Sequence, residues 1–101
     1  MWPHVALEIL KDVWTGAAGQ DYAYSLAFDG QYLYVGLQVN PAVICKIDIS
    51  TMETVDTWTG AAGELTVTSL IFDGTYLVAS LGTAPGKVIQ IDTSDMSTVA
   101  T

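Results

Sequence analysis

Two short stretches of the chain set Asp-Gly between apolar runs: Phe28-Asp29-Gly30-Gln31-Tyr32 and Phe72-Asp73-Gly74-Thr75-Tyr76. Glycine there supplies the positive φ of a tight hairpin, so each stretch predicts a first strand turning into a second. The second strands, Tyr32–Leu37 and Tyr76–Leu81, are aromatic and β-branched, whereas a helical repeat would favour Ala, Leu, Glu and Lys. A loop containing Pro41 or Pro85 follows, then third strands at Val43–Asp48 and Lys87–Asp92. Each closes on Asp-x-Ser, whose side chains can bond the backbone of the next turn. Fourth strands are predicted at residues 53–58 and 97–101.

These elements recur because the sequence does. Residues 14–57 lie over residues 58–101 without a gap, at a constant offset of 44. The shared frame is W-T-G-A-A-G, then S-L-x-F-D-G-x-Y-L, a later Pro, and I-D-x-S-x-M-x-T-V-x-T. A period of this length belongs either to propeller blades or to HEAT-type helix pairs, and the strand signals decide for blades. The predicted fold class is all-β: two four-stranded antiparallel β-propeller blades, 14–57 and 58–101, preceded by an N-terminal strand within 1–13.

At these residues the chain resembles the surface-layer-type and NHL-like β-propeller repeats, in which "FDGxYLYV", "VxxID" and a following turn recur. The resemblance covers nearly everything after Val13. It implies a fold and says almost nothing of function, because propellers host enzymes, lectins and binding scaffolds alike.

The segment from Leu7 to Trp14 runs into W-T-G-A-A-G as Met52 to Trp58 does, so it reads as a surplus fourth strand. In propellers that this one resembles, a strand from one terminus closes the blade at the other and removes an open sheet edge. The last blade already has a fourth strand of its own, which leaves one strand too many. Either one copy is displaced or the chain is an excerpt of a longer array.

Two blades alone leave two raw faces. At roughly 25 cal/mol per Å², several hundred Å² of wet apolar face on each side would cost on the order of 10 kcal/mol, comparable to a domain's whole stability. Completion by homo-oligomerisation removes that cost, with three chains giving six blades or four giving eight.

Composition narrows the partners. Half of the 101 residues are hydrophobic and 14% are charged, too apolar a balance for disorder. The formal charge of −8, with three Lys+Arg in all, disfavours nucleic acid and anionic membrane. Polar-free stretches fall far short of the roughly 20 residues a membrane-spanning helix needs. Residues 1–13 carry no basic leader and no small-residue cleavage pattern, so they do not read as a signal peptide. A lone cysteine, Cys45, excludes an internal disulfide, and a lone histidine, His4, makes neither a zinc site nor a triad.

Candidate chemistry is correspondingly thin, and neither a catalytic set, a metal site nor a cofactor is expected. Asp29, Asp73, Asp48 and Asp92 are turn residues, and no D-x-D-x-D-G calcium loop occurs. The Gly-Ala-Ala-Gly loops lack the Lys-Ser/Thr of a phosphate cradle. Cys45 stands where the other copy has Ile89, the exchange of a buried hydrophobe. Trp14 and Trp58 recur, either as packing between blades or as platforms for a sugar or peptide. Ring-forming two-blade lectins, to which this layout is similar, also use arginine and glutamate on the sugar, and this chain has no arginine. The run Gln20-Asp21-Tyr22-Ala23-Tyr24 differs from Glu64-Leu65-Thr66-Val67-Thr68, so Asp21, Tyr22, Tyr24 and Glu64 are candidate ligand contacts near the mouth of a central channel. The expected role is a non-catalytic scaffold or binding module, with glycan or protein as ligand. A lectin and an enzyme acting at the channel mouth are the alternatives.

Overall fold

A computed structural model describes residues 13–101. Of the N-terminal strand expected within 1–13, residues 1–12 lie outside the described residues, and Val13 is not in a strand. The rest is all-β: β1 Ala23–Phe28, β2 Tyr32–Leu37, β3 Val43–Asp48, β4 Glu53–Thr59, β5 Val67–Phe72, β6 Tyr76–Leu81, β7 Lys87–Asp92 and β8 Ser97–Ala100. They form two four-stranded antiparallel sheets, β1-β2-β3-β4 and β5-β6-β7-β8, each a plain meander. Every strand of the second sheet starts 44 residues after its counterpart in the first. No helix among the described residues is long and apolar enough to cross a membrane.

The turns form for the reasons the sequence suggests. Gly30 and Gly74 both sit at φ +102 beside Asp29 and Asp73. Asp29 Oδ1 accepts the amides of Gln31 (2.9 Å) and Tyr32 (2.7 Å), and Asp73 Oδ1 accepts those of Thr75 (2.8 Å) and Tyr76 (2.7 Å). At the β3–β4 and β7–β8 turns, Asp48 and Asp92 take the amide and hydroxyl of Ser50 and Ser94. Each Asp thus replaces backbone partners that the tight turn withholds.

Because strand side chains alternate and the offset of 44 is even, each sheet has two comparable faces. One carries the odd-numbered residues of β2 or β6, the other the even-numbered ones. The sheets pack head to tail, the even face of the first against the odd face of the second. Tyr34 and Ile44 from the even side meet Leu70, Leu77, Ala79, Ile89 and Ile91 from the odd side in one buried cluster. Closest approach falls at Gly36, where an added Cβ would lie 2.5 Å from Val67 Cγ1 and 2.8 Å from Val67 Cβ. Only a residue without a side chain lets β5 come this near.

Polar contacts lock the same junction. Ser25 Oγ donates to the Val67 carbonyl (3.4 Å) and Lys46 Nζ to the Thr93 carbonyl (2.6 Å), with Lys46 also 4.3 Å above the Tyr32 ring. The linking loop is tied by Ala42 N to Glu64 O (2.7 Å) and Gly60 N to Ala42 O (2.8 Å).

The two outer faces differ. On the even face of the second sheet, Ile71 and Val88 stand exposed where Ala27 and Ile44 of the first sheet are covered. On the odd face of the first sheet, Val35, Leu37, Cys45 and Ile47 are buried in a second cluster that Trp14, Val39 and Met52 pack against. Its β1 side is open: Leu26 is 61% exposed, whereas its counterpart Leu70 is 6% exposed. The outer face of the second sheet is thus open at Ile71 and Val88, and that of the first sheet only along β1.

Candidate functional site

The six residues singled out in the sequence separate into two kinds. Trp58 is 4% exposed, wedged between the sheets, with Nε1 donating to Thr98 Oγ1 (2.9 Å). Trp14 repeats the arrangement one sheet earlier, donating to Thr54 Oγ1 (2.8 Å), and is half-buried. Both indole N–H groups are used internally, as buried or half-buried tryptophans require.

Glu64 is likewise committed to the fold. Its Oε1 accepts the Ala61 amide (2.7 Å) and its Oε2 pairs with Lys87 Nζ (3.2 Å). The Ala61 amide first, then Lys87, hold its carboxyl below the usual range. Gln20 closes the equivalent loop, its Oε1 accepting the Ala17 amide (2.9 Å). The glycines opposite leave room for these caps, since a Cβ on Gly60 would lie 2.9 Å from Glu64 Cβ and one on Gly16 would run into Gln20. The Gly-Ala-Ala-Gly loops are thus closed crossovers held by a Gln or a Glu.

Asp21, Tyr22 and Tyr24 remain open. Tyr22 is 73% and Tyr24 56% exposed, and Asp21 is exposed beside them. A β-bulge explains their presentation: pairing slips between Ala23 and Ser25, which leaves Tyr24 as the extra residue. Bulges re-aim side chains at sheet edges, and β1 is an edge strand. Tyr22 adopts φ +56, a left-handed conformation that is uncommon for an aromatic residue, and its carbonyl accepts the Gln38 amide (2.9 Å). The second sheet has the same bulge and a left-handed Thr66 at φ +31, but there the hydroxyls of Thr68 and Ser69 bond Ser80 Oγ, each at 2.7 Å. The backbone device is shared, and only the first copy places aromatic rings on it.

Sequence reasoning passed over one network, Asp29–Tyr34. Tyr34, fully buried, donates its hydroxyl to Asp29 Oδ2 (2.6 Å). Burial raises the Asp29 carboxyl, but the amides of Tyr32 and Gln31 and the Tyr34 hydroxyl outweigh it, so the group sits below its ordinary value. Burial first, then Asp29, push the Tyr34 phenol far up. The one sequence signal was that Tyr34 stands where the other copy has Val78, placing a phenol among apolar strand residues where its hydroxyl needs a partner.

Among the described residues no group of three His, Cys, Asp or Glu side chains could hold a metal ion. Cys45 is buried, and burial pushes its thiol up to about 11, away from the thiolate that nucleophilic chemistry needs. The molecule so described belongs to the all-β class, as two meander sheets packed head to tail. No protein-family model matches the chain, and no curated protein matches it.

Proposed function

We propose that the chain is a two-blade β-propeller unit that completes a ring with copies of itself and serves as a non-catalytic binding or structural scaffold. Three copies would give six blades and four would give eight. The observation that carries this reading is the paired exposure of equivalent residues: Leu70 is 6% exposed where a neighbouring sheet covers it, and Leu26, without one, is 61% exposed. A repeat whose inner copy is covered and whose outer copy is bare is what one arc of a closed stack looks like. Size-exclusion chromatography with light scattering tests it. Three or four chain masses support it, and a stable folded monomer at micromolar concentration overturns it.

A carbohydrate or peptide ligand at the rim is the second reading, favoured by Tyr22 and Tyr24 open beside Asp21. Ring repetition would display this set once per chain, so weak single contacts would gain avidity. A glycan array and a peptide array, each run with Tyr22→Ala and Tyr24→Ala, decide it. Binding lost in both variants supports the reading, and binding untouched by either refutes it. The tryptophan version has less to stand on, because Trp58 is enclosed and both indole N–H groups are engaged.

A further inference from the structure

Resting on the ring reading, we infer the surface by which one copy holds the next: β1 of one chain docks on the even face of β5 and β6 of another, just as β5 docks on β1 and β2 within the chain. The internal junction is the template. There Val67 enters the space left by Gly36, Ser25 reaches the Val67 carbonyl, and Leu70 lies against the first sheet.

Carried forward by 44 residues, Gly36 becomes Ser80 and Ser25 becomes Ser69. The incoming Val67 and Leu70 become Ala23 and Leu26 of a second copy. The close approach would then pair Ser80 with Ala23. Glycine plus valine is exchanged for serine plus alanine, and the side-chain heavy atoms total three in each pair. A random surface has no reason to shrink the incoming residue where the receiving one grows. Close packing at the junction does, because an added methyl that finds no room is felt.

Both halves of this contact are free in the chain. Leu26 and Phe28 on β1 are exposed, as are Ile71 and Ser69 on β5, with Val78 and Ser80 half-buried beside them. The buried residues of the first sheet's odd face, Val35, Leu37, Cys45 and Ile47, lie on β2 and β3. They need not be uncovered for β1 to be reached. The place of Lys46 is taken by Gln90, so the centre of the receiving face presents the neutral or apolar side chains of Ser69, Ile71, Val78, Ser80 and Gln90. Such a pairing is heterologous, with a different patch from each partner, and it propagates around a ring.

Two single substitutions and their mixture test the inference. Ile71→Asp spoils the receiving face and Leu26→Asp the entering strand. Both sites are exposed, so far-UV circular dichroism of the isolated chain should be unchanged. Each variant alone is expected to run as a monomer in light scattering. Their equimolar mixture is expected to form a dimer, since the Ile71→Asp chain keeps an intact β1 and the Leu26→Asp chain an intact β5–β6 face. Val55→Asp, exposed on β4, should leave the assembly as it is. If the unmodified chain is itself monomeric, the ring reading fails and this interface with it. If the unmodified chain assembles and either variant assembles equally well, the ring survives and the docking surface is overturned. A mixture that stays monomeric, at a concentration where the unmodified chain assembles, overturns the head-to-tail pairing.

Discussion

Replacing Gly36 by serine would put two heavy atoms into a space that β5 already fills. The new Cβ would collide with Ser25 Oγ and lie 2.5 Å from Val67 Cγ1 and 2.8 Å from Val67 Cβ, and the last of these cannot be moved aside by a side-chain rotation. Overpacking of this kind costs about 1–3 kcal/mol. At roughly 4–8 °C per kcal/mol for a domain of this size, about 2 kcal/mol lowers the melting temperature by roughly 10 °C. Val67→Ala alone removes two buried methyl groups at about 0.8 kcal/mol each, and a cavity term brings the loss to roughly 2 kcal/mol. The double variant is where the reasoning is exposed. Gly36→Ser with Val67→Ala installs the pair that Ser80 and Ala23 would make between copies, and the new hydroxyl can meet Ser25 as Ser80 meets Ser69 at 2.7 Å. Independent effects would sum to about 4 kcal/mol, whereas the two changes relieve each other and should leave a loss near 1 kcal/mol. Urea denaturation followed by far-UV circular dichroism gives these values, at one fixed chain concentration because any self-association would add stability by mass action. If the double variant loses as much as the two single variants together, the close approach of β2 and β5 is not what Gly36 is for.

Acid should unfasten the turns. The carboxyls of Asp29, Asp48, Asp73 and Asp92 are held below their ordinary 3.8, so their stabilisation is present above that value and is lost as pH falls below it through the lowered values of the folded chain. The urea midpoint is therefore expected to fall from about pH 5 to about pH 3, and a midpoint flat across that window contradicts the turn assignments. Cys45, buried with its thiol pushed up to about 11, should react with a thiol reagent only as fast as the protein opens. Labelling at the rate of a free thiol in the native protein would be the contrary result. Trp58→Ala should cost about 3–5 kcal/mol, since the ring is enclosed between sheets. Trp14→Ala should cost visibly less, and equal losses would mean that the two tryptophans are equally enclosed.

What the chain shows before any coordinates is what period two and tight-turn chemistry encode. Asp-Gly after Phe28 and Phe72, and Asp-x-Ser after Ile47 and Ile91, locate the hairpins, and β2, β3, β6 and β7 run over the expected residues. The fourth strands differ by one residue at their ends, β4 running on to Thr59 and β8 stopping at Ala100, the scale on which element ends fray. The candidate site was only half legible. Tyr22 and Tyr24 could be picked out because they interrupt the repeat. Trp14 and Trp58 were drawn in because they recur and Glu64 because it too departs from the repeat, and their internal partners, Thr54, Thr98, and Ala61 with Lys87, are set by packing that the repeat pattern does not encode.

The missing information is of a definite kind. Leu26 and Leu70 occupy the same place in the same motif, and so do Ile44 and Val88, yet one of each pair is covered and the other bare. Periodicity assigns a residue to a face and cannot say whether a second sheet lies on that face. Departures from the repeat carry that information instead. Where both copies met like neighbours, Gly36 and Val67 would have no cause to become Ser80 and Ala23. Where the second junction lies between chains, each side is free to drift as long as the other follows. On the proposed ring reading, the positions that break the 44-residue rule in complementary pairs would mark the contact between copies. An unpaired break, tyrosine for threonine at Tyr22 and Tyr24, would on the same reading mark a surface that faces something other than the chain itself.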